Sequence, residues 1–408
     1  MWLQKKYLNS ISEKESNILT LYFTIMFHSR FEKITDLLVH ENYPRLIKQI
    51  IDLTLDSEDI EQYKQTVNLL DWLDANENKS NPKEQFSSTL DNLYNLLSNK
   101  PVKDTEKHSL LSVNNLIRSY KRTSFALGPV SFEIKPGEII GLVGENGNGK
   151  TTLLRSLCGE LKPTGGDIKY HFPYLDEYDL RSQLIYIPQR FQSWRGSLLS
   201  NLRFTAASYG IKGRENELTV ELIIARMGLR KFRNHSWNRL SSGYKMRFEL
   251  ARALLRKPQL LLIDEPLANL DILAQQIVLD DFRDIAKSAF RPLGVVLSSQ
   301  QLYEVEKTSD RVLFLKEGVP YNLFEGSGVF REIQKFIVEF ETEWEHNRLQ
   351  EVFSALQMEK LEINGGTYVA VFPEEVGQED FLKMLLTHKI PVSYFRNISH
   401  STRRFFLS

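Results

Sequence analysis

The eight residues Gly144-Glu145-Asn146-Gly147-Asn148-Gly149-Lys150-Thr151, with Thr152 behind them, restrict the fold more than any other stretch of the chain. They match the pattern G-x-x-x-x-G-K-[ST]. The short apolar run Glu138 to Val143 leads into them, and a helical stretch from near Thr151 to Leu157 follows. Each residue type has a physical task. Glycines let the backbone curl so that several N–H groups point inward at an anion. The start of a helix adds partial positive charge. Lys150 is placed to reach the outer phosphates of a nucleotide, and the Thr151 hydroxyl to meet Mg²⁺. A strand, a phosphate-cradling turn and a helix in this order predict an α/β core.

A second motif reads Leu260-Leu261-Leu262-Ile263-Asp264-Glu265-Pro266, an apolar strand ending in two carboxylates. Asp264 at the strand tip is the candidate for holding Mg²⁺ through water. Glu265 is the candidate base for an attacking water. Further apolar runs, Gln259 to Ile263 and Leu293 to Leu297, have the continuous character of strands buried in a parallel sheet. The whole chain has 408 residues, enough for two or three domains.

Residues 1–108 read as helical. Ser12 and Glu15 are spaced as a capping box. Ile60, Tyr63, Val67 and Leu70 recur at helical spacing behind Ser57, Glu58 and Asp59, as do Phe86, Leu90, Leu93, Tyr94 and Leu97. Asn76 to Lys83 reads as a loop and Lys100 to Lys107 as a linker. Residues 109–328 alternate strand and helix signals. Residues 329–408 read β-α-β-β-α-β: a strand at Phe336 to Glu341, a helix at Asn347 to Leu356, and a hairpin of Lys360 to Ile363 and Tyr368 to Phe372 around Asn364-Gly365-Gly366. A helix at Gln378 to Leu386 follows, with a last strand at Val392 to Arg396 or Arg404 to Leu407. Fold class is therefore α/β, with an added N-terminal all-α domain and a small C-terminal α+β (split β-α-β) domain.

Composition removes several classes. Lys plus Arg number 52, as do Asp plus Glu, so there is no basic surplus of the kind a general nucleic-acid binder carries. The single cysteine, Cys158, excludes an intramolecular disulfide and a thiolate zinc cage, and points to a reducing compartment. No segment reaches the roughly 20 apolar residues that span a bilayer. No signal peptide is expected, and contact with a membrane is expected only through a partner.

Between the two motifs lies Leu240-Ser241-Ser242-Gly243-Tyr244, leading into Lys245-Met246-Arg247. It resembles the signature, usually LSGGQ, of ATP-binding cassette (ABC) ATPases. The order phosphate loop, signature, carboxylate strand is similar to that family over roughly residues 112–320. The resemblance implies a P-loop ABC ATPase fold with a helical subdomain at about residues 190–245. Tyr120 resembles the aromatic that stacks on adenine. Gln189, in Ile185-Tyr186-Ile187-Pro188-Gln189, resembles the glutamine that links Mg²⁺ and the attacking water to that subdomain. Pro163 to Gly166 resembles the turn after the first helix, and Ala268 to Asp271 the loop that crosses the dimer interface. Ser241 is also simply a good helix N-cap.

Two departures stand out. Ser242 and Tyr244 replace the usual glycine and glutamine of the signature. In Leu297-Ser298-Ser299-Gln300-Gln301-Leu302, followed by Glu304 to Glu306, Gln300 stands where the family's switch segment has histidine. An amide donates a hydrogen bond but takes up no proton, so slow hydrolysis is expected.

The resemblance implies ATP and Mg²⁺ as cofactors and a second ABC subunit, identical or similar, as partner. ATP on residues 144–152 of one subunit would be covered by Ser241, Ser242 and Gly243 of the other. It further implies a separate transmembrane permease and a cytoplasmic location at the membrane face. The C-terminal segment resembles the accessory domain of exporter-type cassettes. Trp194, Arg195, Leu198 and Leu202 are candidates for a groove that receives a permease helix, with ordinary packing inside the helical subdomain as an equal reading for the two leucines. A soluble non-transport ABC protein and a nucleotide-gated scaffold with little turnover are the alternatives.

Overall fold

The computed structural model describes residues 18–76, 81–98, 100, 109–121, 125–268, 270–288, 291–300, 305–321, 335–364 and 366–399. The Ser12–Glu15 capping box, the linker at 101–107, Gln301, Leu302, Glu304 and the alternative last strand Arg404 to Leu407 lie outside these residues.

At the centre is a sheet in the order β5-β6-β7-β3-β8-β9. Its strands are β3 (Ile139–Val143), β5 (Leu184–Ile187), β6 (Leu260–Ile263), β7 (Gly294–Ser299), β8 (Arg311–Lys316) and β9 (Val319–Tyr321). The first five are parallel and β9 runs antiparallel to β8. Strands β3, β6 and β7 are buried along their whole length, which is why they read as unbroken apolar runs. Their side chains alternate between two cores. Ile140, Leu142, Leu260, Leu262 and Val296 pack with Leu153, Leu154 and Leu157 of α5 (Lys150–Leu157). That core also takes Leu111, Leu116 and Val130 from an antiparallel sheet of β1 (Leu111–Ser119), β2 (Ala126–Ile134) and β4 (Gly165–Tyr170). Ile139, Val143, Leu261, Ile263, Val295 and Leu297 face the other way, onto α10 (Ile272–Ala286) and the helical arm.

That arm comprises α7 (Leu198–Ser208), α8 (Gly213–Arg226) and α9 (Ser242–Leu255); α6 (Glu177–Gln183) precedes β5. Leu198 and Leu202 are 1% and 0% exposed. They are core residues of the arm, the ordinary packing that stands beside the groove reading for these two leucines. Trp194 is committed as well: its Nε1 donates to Glu249 (2.8 Å), and the Arg252 guanidinium lies 3.7 Å from its ring. Of the four candidates only Arg195 is exposed.

The N-terminal helices are α1 (Ile18–Val39), α2 (Tyr43–Ser57), α3 (Ile60–Ala75) and α4 (Lys83–Leu97). Phe31, Leu46, Ile50, Phe86 and Leu93 form a core of their own. The opposite stripe of α2 and α3 (Ile51, Leu55, Tyr63 and Leu70) joins the core shared with α8. The helical domain is thus welded to the arm. The start of α3 differs from the expected pattern in one detail. Asp59 caps α3 by accepting from Gln62 N (2.7 Å), whereas Ile60, expected on the apolar stripe, is 49% exposed.

The C-terminal sheet has the antiparallel order β11-β12-β10-β13, from β10 (Phe336–Thr342), β11 (Lys360–Asn364), β12 (Thr367–Phe372) and β13 (Val392–Asn397). Helices α11 (His346–Ser354) and α12 (Gln378–Thr387) complete the expected β-α-β-β-α-β order. Phe340, Phe353, Phe372 and Phe381 fill its core at 0% exposure. Arg396 reaches back to Glu306, between β7 and β8 (3.6 Å).

One buried cation ties three parts together. Arg226, 0% exposed at the end of α8, meets Asp52 of α2 (2.8 Å) and Asp281 of α10 (2.7 Å). Asp284 lies 3.8 Å away, and Lys48 also bonds Asp281 (2.7 Å). Removing one partner of such a set leaves buried charge uncompensated, at a cost of about 3–5 kcal/mol. Arg226→Met should therefore lower the unfolding free energy extrapolated from a urea titration by that amount. Cys158, at the end of α5, is buried, and burial pushes its thiol up to about 11. With so little thiolate, native protein at pH 8 should react with a thiol reagent about 100-fold more slowly than urea-unfolded protein.

Candidate functional site

The phosphate loop links β3 to α5. Gly149 holds φ +93°, a left-handed conformation that turns the chain into the helix. Gly144 is needed for closeness, since a Cβ there would stand 2.5 Å from the Leu315 carbonyl oxygen of β8. Asn148 pins the loop to the end of the same strand: its Nδ2 donates to Leu315 O (3.1 Å) and its Oδ1 accepts from Glu317 N (3.1 Å). Glu145, Asn146 and Gly147 at the tip are exposed. Lys150 is 5% exposed; its Nζ donates to Gly144 O (2.7 Å) and Glu145 O (3.2 Å) and lies 3.5 Å from Glu265 Oε1.

Parallel pairing of β3, β7 and β6 brings the carboxylate pair beside this loop. Thr151 Oγ1 donates to Asp264 Oδ2 (2.7 Å). Asp264, 4% exposed, also accepts from Ser298 Oγ (2.7 Å) and from the Tyr186 hydroxyl (3.3 Å). Burial, with Asp264 alongside, pushes the Tyr186 phenol well above its ordinary range, so it stays a donor. Glu265 takes φ +48°, a strained conformation for a non-glycine residue, and its N–H donates to Ser298 Oγ (2.9 Å). Its carboxylate accepts from Gln189 Nε2 (2.7 Å) and from Gln300 Nε2 (2.9 Å to each oxygen). Sequence order alone separates Lys150, Gln189, Glu265 and Gln300; the fold gathers them around one carboxylate.

Tyr120 follows β1, with its hydroxyl 3.5 Å from Thr152 Oγ1 and its ring 5.0 Å from the Arg118 guanidinium. Ser241 is the residue before α9, but its hydroxyl makes no capping bond. The simple N-cap role is not realised, and the exposed hydroxyl stays available beside Ser242. Gly243 is not demanded by the chain's own packing, because a Cβ would meet Leu270 at an ordinary 3.6 Å. Tyr244, in place of the common glutamine, packs 4.1 Å from the Phe232 ring. Asp271 accepts from Ala274 N (2.8 Å) and caps α10. Ser242, Gln189, Trp237, Lys245, Glu265 and Leu270 border one cleft of about 280 Å³.

The bonds made by Tyr186, Ser298 and Asn148 are not legible in the sequence. Tyr186 and Ser298 stand inside recognised segments, but only strand pairing shows that their hydroxyls reach Asp264.

A glycine loop closing on a lysine, with a hydroxyl against a strand-tip carboxylate and a glutamate beside it, defines a P-loop nucleotide-binding protein. The sequence profile of the ABC transporter family matches residues 127–268. The chain is 35% identical over 214 residues to the uncharacterized ABC transporter ATP-binding protein YxlF of Bacillus subtilis, covering 51% of this chain and 68% of that one. It is 30% identical over 220 residues to the ABC transporter ATP-binding protein NatA of the same organism (52% and 86%). It is 34% identical over 195 residues to the hemin import ATP-binding protein HmuV of Agrobacterium fabrum (45% and 72%). The chain belongs to the ABC transporter ATP-binding family. Among the described residues no helix is long and apolar enough to cross a membrane.

Ser298→Ala would strip a donor from Asp264 and the acceptor from the Glu265 N–H. ATP turnover should fall about 10-fold or more, while ATP affinity from equilibrium titration changes much less.

Proposed function

We propose that this chain is the energy subunit of a transporter: two cassettes close on two ATP molecules, hydrolyse them and pull on a separate membrane permease. The observation that carries this reading is the convergence of Lys150, Gln189 and Gln300 on Glu265, one residue after Asp264. In this reading residues 144–152 cradle the phosphates and Tyr120 stacks on the base. The adjacent Thr151 hydroxyl and Asp264 carboxylate offer oxygen donors of the kind Mg²⁺ prefers, and the Gln189 carboxamide oxygen would add a third. When bound, Mg²⁺ would neutralise charge developing on the phosphates.

The chain's own residues supply the rest. Lys150 orients the outer phosphates. Glu265 is freed from its amide partners, aligns a water and takes its proton. Gln300 then donates its N–H to a phosphate oxygen. Ser241, Ser242 and Gly243 of a second cassette complete the site, with the loop through Asp271 crossing between subunits. Because ATP touches both cassettes only when they are closed, it favours the closed pair, and cleavage releases it. Nothing in this cycle encodes direction, and one of the relatives is named for hemin import; an exporter role rests on resemblance alone. Membrane attachment would come through the permease, on the cytoplasmic side, and no nucleic acid is involved.

A second reading, a nucleotide-gated scaffold with slow turnover, draws on one observation: both amides engage the Glu265 carboxylate. One set of measurements separates the two. Glu265→Gln should give an ATP-dependent dimer on size-exclusion chromatography, and Lys150→Ala should abolish both dimer and hydrolysis. Gln300→His should raise turnover, since it restores a group that carries a proton. A Glu265→Gln protein that stays monomeric in millimolar Mg-ATP would sink the closing-pair mechanism. Unmeasurable turnover in the presence of its permease would favour the scaffold.

A further inference from the structure

The segment that carries Gln189 has no regular structure. Residues 188–196, between β5 and α7, form neither helix nor strand, and Gln192 and Ser193 are exposed. No helical or sheet ladder sets its path, so side chains must. At one end Gln189 Nε2 donates to Glu265 Oε2 (2.7 Å). At the other, Trp194 Nε1 donates to Glu249 Oε1 (2.8 Å), while Arg252 Nη1 donates to Glu249 Oε2 (2.7 Å). The Arg252 guanidinium stands 3.7 Å from the centre of the Trp194 ring, which closes a triangle. Between the two ends, Phe191 packs at right angles to Trp237 with ring centres 6.0 Å apart, and Trp237 packs on Phe248 of α9 at 5.5 Å.

This attachment is directional. The Glu249 side chain is 13% exposed. Burial pushes its carboxyl upward, and the Arg252 charge and the Trp194 N–H act against that. A carboxylate placed there is costly unless both oxygens are met. An apolar contact tolerates sliding, whereas a carboxylate bonded on both oxygens fixes Trp194 in distance and in orientation. Glu249 belongs to α9, seven residues beyond Ser242 and so about two turns along the same helix. The helix that bears the signature in its first turn therefore also anchors the Gln189 segment. Gln189 and Ser242 border one cleft.

We infer that Trp194 and Glu249 are positioning residues for ATP hydrolysis, holding the far end of this segment on α9 so that the Gln189 amide meets the Glu265 carboxylate. They act on the reaction through Gln189. The inference rests on the reading of Glu265 as the base. A displacement of the Gln189 backbone then either draws α9 along or opens the Glu249 triangle.

Single-turnover hydrolysis of Mg-ATP by the full chain tests it. Protein is kept in excess and its concentration varied, which gives the rate constant and the half-saturating concentration separately. Glu249→Ala should lower the rate constant about tenfold, as a displacement of an ångström or less does, with half-saturation moved by no more than about twofold. Glu249→Gln keeps an oxygen for Trp194 Nε1 and should stay within about threefold of the wild type. In a Gln189→Ala background, Glu249→Ala should cost less than about twofold more, because the group it positions is gone. An equal loss in both backgrounds, no loss in either, or a loss carried by half-saturation would overturn the inference. Should Glu249→Ala fail to fold by circular dichroism, Trp194→Phe takes its place in the cycle with the same expected values. Glu265→Gln separates the two levels of the argument. Turnover retained by that variant removes the base assignment and this inference with it; an inactive Glu265→Gln beside an additive cycle removes the tether alone.

Discussion

A buried carboxylate is costly unless every oxygen finds donors. Asp264 meets this requirement with three hydroxyls, each from a different element: Thr151 on α5, Ser298 on β7 and Tyr186 on β5. The knot holds the ends of the parallel strands in register and thereby fixes the neighbouring peptide. Ser298 serves twice, since the hydroxyl that donates to Asp264 also accepts from the Glu265 N–H. The left-handed backbone of Glu265 is sustained by that bond, and it aims the carboxylate at Lys150, Gln189 and Gln300.

Glu265 therefore sits in a balanced contest. Two neutral amides and one ammonium compete for its oxygens. Neither amide is a proton carrier, which in the proposed cycle leaves Glu265 to take the proton from a water. With histidine at the position of Gln300 a second carrier would stand nearby. Its replacement removes charge from the site but keeps a donor of similar reach, consistent with a cassette whose chemistry depends more heavily on the glutamate.

The helical arm that bears Ser241 to Gly243 is not free to drift. Arg226 fastens α8 to α2 and α10 at once, and Ile51, Leu55, Tyr63 and Leu70 pack on the same helix. Any rotation of the arm must carry the N-terminal helices along or break the ion pairs of the buried Arg226. The C-terminal sheet makes a lighter contact, through Arg396 and Glu306, only six residues beyond Gln300.

By itself the sequence determined the local chemistry. The phosphate loop, the apolar strands around it and the β-α-β-β-α-β order of the C-terminal part are written in glycine spacing and hydrophobic period, which depend on neighbours a few residues away. Ile60 and the leucine pair Leu198 and Leu202 show where that stops: periodicity marks an apolar stripe but not what covers it. Asp52 meets Arg226 across 174 positions and Thr151 meets Asp264 across 113. Such contacts, and with them the Asp264 knot, the anchoring of the N-terminal helices and the triangle of Trp194, Glu249 and Arg252, were decided only by tertiary structure. Hydrogen bonds between distant residues depend on how whole layers pack, and no local pattern encodes that.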